Sequence, residues 1–283
     1  MALADRTQIM GIVNVTPDSF SDGGKFFNPE RAVRHAWKLR NEGADIIDIG
    51  GESSRPGARK VSAKEEFLRI RPVVQKLVKR LDCPISIDTY KSEVAERCLD
   101  IGVSIINDIT ALRGDKKMKH VIAKYHAAVV LMHMQGKPRT MQLNPQYDNL
   151  ISEIIKELKQ GIRLAKEAGI GNDRIVIDPG IGFGKTVEHN LLVLKNLADF
   201  NALGYPVMIG TSRKSFIGKI LNRDEHNRLF GSISTAVIAA AGGAHILRVH
   251  DAAKTRDALI MYDAVAGRGI RENREEVVSN RIW

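Results

Sequence analysis

The chain has 283 residues, 43% of them hydrophobic, which is close to the ~250 residues of a typical (β/α)8 barrel and enough to bury a full core. A net charge of +10 would suit nucleic acid, but the lysines and arginines are scattered, aromatics make up only 5% and no base-stacking motif occurs. The charge is therefore read as drawing an anionic substrate into a cleft. Only Cys83 and Cys98 are present, too few for a disulfide framework or a structural zinc site, and no apolar run approaches the ~20 residues of a membrane span. A cytoplasmic protein with no signal peptide and no membrane partner is expected.

Eight short apolar runs each stop at polar residues. Met10-Gly11-Ile12-Val13 ends at Asn14, and a long loop from Thr16 to Lys25 follows, rich in glycine and serine. Pro29 opens a helix whose inner face is Ala32, Ala36 and Leu39, and Gly43 closes it. Ile46-Ile47-Asp48-Ile49 ends at Gly50-Gly51-Glu52-Ser53-Ser54-Arg55. Ser62-Ala63-Lys64-Glu65 reads as a capping box for a helix running to Leu81. Ile85-Ser86-Ile87 ends at Asp88, Ile105-Ile106 at Asn107-Asp108, and Val129-Val130-Leu131-Met132 at His133. The longest helix is expected from Tyr147 to Ala168. Ile175-Val176-Ile177 ends at Asp178, and Val187 to Leu197 is helical. Val207-Met208-Ile209 ends at Gly210-Thr211-Ser212-Arg213-Lys214. After a helix from Ser232 to Ala241, Ile246-Leu247 ends at Arg248-Val249-His250. Buried strands alternating with helices predict an α/β fold, a single (β/α)8 TIM barrel forming one domain over 1–283. The chemistry of such a barrel sits at the C-terminal strand ends.

The run from Asp178 to Thr186 does not have P-loop spacing, because the first glycine of that pattern would fall at Pro179, and it contains no dinucleotide fingerprint. Its glycines are read as a sharp turn beneath a ligand. Asp88 and Asp178 could serve glycoside hydrolysis or bind the amino and ring nitrogens of a heterocycle. Arg55, Lys214, Arg248 and His250 form a cationic set suited to phosphate or pyrophosphate, and Arg248 and His250, two apart, point to one side. His133 is read as a satisfied structural residue and no zinc is assigned. Asn14 could offer an amide oxygen to magnesium, which binds mainly through waters and substrate phosphates.

Together these segments resemble the dihydropteroate synthases of the folate pathway. The resemblance is carried by Asn14 to Gly24, Gly43 to Gly57, Ile87-Asp88-Thr89, Asn107-Asp108-Ile109, Met132 to Gly136, Asp178 to Lys185, Ser212-Arg213-Lys214-Ser215 and Arg248 to Asp251, in the family's order over nearly the whole chain. Ser54 stands where the family usually has threonine; the hydroxyl is kept and a methyl is lost.

The resemblance implies a transferase that condenses 4-aminobenzoate with 6-hydroxymethyl-7,8-dihydropterin diphosphate to 7,8-dihydropteroate and pyrophosphate. It further implies a Mg2+ requirement, a homodimer and inhibition by sulfonamides. Carried over by motif, Asp88, Asn107, Asp178 and Lys214 would bind the pterin, and Asn14, Arg248 and His250 the diphosphate, with Asn14 toward the metal. Phe20, Ser54, Arg55, Pro56, Phe183 and Ser215 would line the 4-aminobenzoate pocket. Asp88, Lys214, Asp22 and Phe20 would act in catalysis, the loop carrying Phe20 and Asp22 closing over the mouth. The alternative is a barrel that binds a methyl-folate for a methyl-transfer partner without condensation. Such a carrier needs neither the Phe20–Asp22 loop nor the arginine-histidine pair. A phosphosugar aldolase is disfavoured, because Lys214 lies in a cationic loop rather than an apolar pocket.

Overall fold

The computed structural model describes residues 6–16, 28–53 and 57–267. Phe20, Asp22, Ser54, Arg55 and Pro56 lie outside the described residues. Eight parallel strands form one sheet: β1 (Gln8–Asn14), β2 (Ile46–Gly50), β3 (Ile85–Asp88), β4 (Ile105–Asp108), β5 (Ala128–Met132), β6 (Ile175–Asp178), β7 (Met208–Ile209) and β8 (Ile246–Val249). Their order is β6-β5-β4-β3-β2-β1-β8-β7. The seam between β6 and β7 is closed by a parallel bridge, Ile177 to Val207, and by the Ile177 N–H donating to the Pro206 carbonyl at 2.9 Å. The sheet is therefore a nearly closed barrel.

Among the described residues ten α-helices connect and surround it: α1 (Pro29–Asn41), α2 (Ala63–Val78), α3 (Ser92–Ile101), α4 (Met118–Lys124), α5 (Leu150–Glu167), α6 (Val187–Lys195), α7 (Leu197–Asn201), α8 (Ser215–Leu221), α9 (Leu229–Ala241) and α10 (Ala252–Val265). At α1, Asn28 caps the Glu30 N–H at 3.0 Å, Pro29 supplies a preset first-turn φ, and Gly43 takes φ +93° just beyond the end.

Two expectations need correction. Ser62 does cap the Glu65 N–H, but the Glu65 carboxylate turns to Arg59 and Arg69 instead of back to Ser62, and the helix stops at Val78. Two nearby guanidinium groups offer Glu65 charge-assisted bonds that a backbone N–H does not. The helix predicted from Val187 to Leu197 is instead two, broken at Asn196, which has φ −111° and ψ 34°.

Strand alternation decides what enters the barrel. Met10, Ile46, Ile105, Ala128, Val130, Val176, Met208 and Ile246 pack as one apolar cluster in the lumen. Ile47, Ile49, Ile87, Ile106, Val129, Ile177 and Leu247 belong to the larger cluster between strands and helices. Two residues beyond the lumen cluster on β2, β4, β6 and β8 stand Asp48, Asn107, Asp178 and Arg248, and Asp88 faces Asn107 in register. The polar layer thus rests directly on an apolar plug.

Candidate active site

Arg248 is the hub of this layer. Its Nε donates to Asp48 Oδ2 at 2.6 Å and its Nη2 to Asp88 Oδ2 at 2.7 Å. Asn107 Nδ2 donates to the same Asp48 oxygen at 3.2 Å. Burial pulls the Arg248 guanidinium down, but the Asp48 and Asp88 carboxylates outweigh it and hold it above its ordinary value. Burial pushes Asp88 up to about 7 against the pull of Arg248, with Asp48 and Glu66 adding repulsion. Asp178 is likewise raised by burial, to about 6, although its Oδ1 accepts the Gly180 N–H at 2.7 Å. Asp48 Oδ1 and Asn107 Oδ1 are buried without a donor among the described residues. The layer is rich in acceptors and poor in donors, which suits a ligand edge carrying several N–H groups.

Asp48 was not singled out from the sequence as a site residue. Its signal was there, a carboxylate in the otherwise apolar run Ile46-Ile47-Asp48-Ile49, and it is fully buried. Glu66 was missed for the same reason. It lies on the buried face of α2 and is 1% exposed. Lys91 Nζ donates to Glu52 Oε2 at 2.5 Å and also to Glu66, and Glu52 Oε1 accepts the Val61 N–H at 2.9 Å. This buried cluster ties down both flanks of the segment carrying Ser54, Arg55 and Pro56.

The glycine-rich turn after β6 is held tightly against the loop after β5. A Cβ at Gly180 would come within 1.9 Å of the His133 carbonyl, and one at Gly184 within 2.6 Å of the Gln135 carbonyl. Both glycines also have positive φ, so the close approach and the backbone geometry make the same demand. The turn buries Phe183, and the Lys214 ammonium sits 4.3 Å from the centre of its ring, a cation–π contact. Lys214 immediately precedes α8, which begins at the exposed Ser215. Arg213, at φ 59°, turns away and grips Asp251 at 2.8 and 3.1 Å, which fixes the loop that presents Lys214.

The expected cationic set is not realised as such. His250 is pushed down to about 3 by burial and by Arg248 and Arg213, so it is neutral at pH 7. Its Nδ1 lies 3.0 Å from Ser212 Oγ. Arg248 spends its charge on two aspartates instead of standing free beside His250. Nor does Asp88 cap the next helix, since α3 begins after Lys91 and its Ser92 N–H is held by Asp115 at 2.9 Å. His133 is buried and its Nδ1 pairs with Lys185 at 2.9 Å, but it is not the fully satisfied residue expected, because its buried Nε2 has no hydrogen-bond partner among the described residues.

For a cation, no group of three or more His, Cys, Asp or Glu side chains at ligating distance exists among the described residues. Asn14 ends β1 beside the bare Gly50, where a Cβ would lie 3.8 Å from Asn14 Oδ1 and 3.8 Å from Asp88 Oδ2. The Asn14 amide oxygen, with the Asp88 carboxylate nearby but held by Arg248, fits a hard ion that takes most of its ligands from substrate and water.

Comparison with known proteins gives a consistent result. Residues 10–250 match the family of pterin binding enzymes. The chain is 45% identical over 267 residues to a dihydropteroate synthase of Clostridium beijerinckii, covering 94% of this chain and 97% of that one. It is similar to the Yersinia pestis dihydropteroate synthase solved with a sulfonamide drug (43% identity, TM-score 0.89, covering 94% and 96% of the two chains). It is also similar to the Xanthomonas albilineans dihydropteroate synthase solved with 4-aminobenzoic acid (44% identity, TM-score 0.88, covering 94% and 95%).

Proposed function

The chain belongs to the dihydropteroate synthases, transferases of the pterin binding enzyme family, and from that premise we propose how its own residues carry the condensation of 4-aminobenzoate with 6-hydroxymethyl-7,8-dihydropterin diphosphate. The observation that carries the assignment is the acceptor-rich layer at the strand ends, with Asn107 and Asp178 buried and Asp88 partly buried beside them. A reduced pterin presents an amino group and ring N–H donors along one edge, and these carboxylate and amide oxygens accept them. Lys214 reaches the same ligand from the rim.

The C–O bond to the diphosphate breaks with its electron pair leaving on oxygen, so positive charge grows on the pterin methylene. The carboxylates of Asp88 and Asp178 lie in a dry environment where their negative field favours that charge. The aromatic amine then forms the C–N bond and sheds a proton. No nucleophilic side chain is required. Arg248, His250 and Asn14 face the leaving group, His250 as a neutral hydrogen-bonding ring rather than a cation. Mg2+, held by Asn14 and the diphosphate, would supply charge neutralisation on the leaving oxygen. Phe183 and Ser215, with Phe20, Ser54, Arg55 and Pro56 from outside the described residues, would line the 4-aminobenzoate pocket, which a sulfonamide would occupy in its place. The loop carrying Phe20 and Asp22 would exclude water from the reactive cation, while Asp88 favours its charge and Lys214 contacts the pterin.

We also infer one barrel domain over 1–283, a cytoplasmic setting and a homodimer. The dimer reading is supported by an apolar surface on neighbouring helices. Leu191 and Leu192 of α6, Ile220 and Leu221 of α8, and Phe230 and Ile238 of α9 are all exposed, Phe230 at 83%. Among the described residues no helix is long and apolar enough to cross a membrane, so this face is assigned to a second copy.

The deciding experiment measures pyrophosphate release with and without 4-aminobenzoate. Release that depends on the amine and yields dihydropteroate is the expected result. Release indifferent to the amine, or pterin binding without release, would replace condensation by the carrier reading.

A further inference from the structure

Lys185 is 3% exposed and takes no part in the reaction described above. Its Nζ lies 2.9 Å from His133 Nδ1 and donates to the Phe183 carbonyl at 3.2 Å. A lysine buried on two neutral acceptors is costly, so something must depend on it. The turn it reaches into has positive φ at Gly180, Gly182 and Gly184 and so has little stiffness of its own. Successive carbonyls of that turn are held by side chains. Gln142 donates to Gly182, Lys185 to Phe183, Tyr147 to Gly184 at 2.7 Å, and Asn190 to Thr186 at 2.5 Å. Of these four, Lys185 alone fastens the residue whose ring meets Lys214.

The lysine is itself oriented. His133 is 1% exposed, and burial with the nearby Lys185 and Arg113 charges drives it down to about 2, so the ring is neutral. A neutral ring accepting from Lys185 at Nδ1 carries its proton on Nε2, which faces Glu157 Oε2 at 3.6 Å. Arg113 Nη1 sits 2.7 Å from that same carboxylate oxygen. Tyr147 packs its ring 6.1 Å from that of His133. Burial lowers Lys185 to about 7, opposed by Asp178 and Glu157 and reinforced by Lys214.

We propose that Lys185, oriented by His133, is a positioning residue that sets the Phe183 ring against Lys214 and thereby selects the second substrate, the aromatic amine, with little effect on the pterin. Two of the pterin acceptors, Asp88 and Asn107, belong to other strands, and the third, Asp178, opens the same turn but is fixed by the Gly180 N–H at 2.7 Å rather than by the Lys185 bond to Phe183. The inference rests on the assignment of 4-aminobenzoate to the Phe183–Lys214 face.

The test is steady-state kinetics on Lys185→Met, which keeps an unbranched apolar stem, one atom shorter, and removes the donors. The expected result is a rise of about tenfold or more in KM for 4-aminobenzoate, with KM for the pterin diphosphate and calorimetric pterin affinity within about twofold of wild type. His133→Leu should show the same split, and His133→Asn, which keeps a polar atom near the Nδ1 position, should recover most of the loss. If Lys185→Met does not fold, the two His133 variants decide alone. Equal losses for both substrates, a fall in kcat alone, no change, or failure of His133→Asn to recover would each overturn the proposal. Wild-type release of pyrophosphate that ignores the amine would instead overturn the underlying functional reading, so the two failures are distinguishable.

Discussion

The Arg248 guanidinium holds Asp88 at 2.7 Å, so an oxygen assigned to the pterin is already engaged by a group assigned to the diphosphate. Pterin and leaving-group recognition are therefore electrically linked inside the barrel. Arg248→Ala would strand Asp48, which is wholly buried, and Asp88 without their cation. Removing one partner of a buried pair costs about 3–5 kcal/mol of stability. His250→Ala, which breaks only the contact with Ser212, should cost far less. Both variants should impair use of the diphosphate more than binding of the bare hydroxymethyl pterin. Denaturant melts and calorimetry with the two ligands check this, and equal affinity losses for both ligands would show that these side chains do not serve the leaving group.

Asp178→Asn should weaken pterin binding by roughly 2–4 kcal/mol, because a charge-assisted acceptor is lost and its donor is left desolvated. The stability of the free protein should move the other way with pH. The folded carboxyl is raised to about 6 from 3.8, so its contribution is full below its unfolded value and is lost as pH rises through about 6. The wild type should lose on the order of 3 kcal/mol relative to Asp178→Asn between pH 4 and pH 7. Pterin affinity, which needs the ionised form, should fall as pH drops below about 6. Melts and titrations at the two pH values test both signs, and parallel curves for the two proteins would contradict them.

Chelation should abolish turnover while leaving the thermal midpoint within about a degree, because no cluster of ligating side chains among the described residues makes a metal part of the fold. Full activity in excess chelator would exclude the magnesium assignment.

Phe20→Ala should raise KM for 4-aminobenzoate while pterin affinity stays nearly intact, since an apolar side chain in a polar loop is assigned to covering the amine. Deleting Asp18 to Gly23 with little change in turnover would reduce that loop to a connector.

Phe230→Asp should convert the proposed dimer to a monomer, because a charge on the most exposed part of the apolar face cannot be buried unpaired. Sedimentation showing the same mass for both proteins would move the interface elsewhere.

Much of the fold is local and was legible as such. Each apolar run is a strand, each polar stop its C-terminal end, and Asn28, Pro29 and Gly43 bound α1 through caps that act over a few residues. Alternation along the runs likewise puts Asp88, Asn107, Asp178 and Arg248 on one side of their strands. The limits appear where several backbone or charge partners compete, as when Glu65 takes two arginines over its own capping box.

The sequence by itself determined that eight strand ends would carry polar groups and that those groups could bind the nitrogen donors of a heterocycle and an anion, while the pterin and the aromatic amine are what the family resemblance implies. Which group meets which was decided only by tertiary structure. Arg248 finds Asp48 across 200 positions of chain and Asp88 across 160. The charge states followed from that meeting. His250 is grouped in the sequence with the strand-end cations and is neutral by burial, while Lys185 looks like the tail of a glycine-rich motif and is the clamp beneath Phe183. Periodicity acts through neighbours along the chain, whereas desolvation and pairing act through space, and closing the barrel is what brings these side chains into the same dry volume.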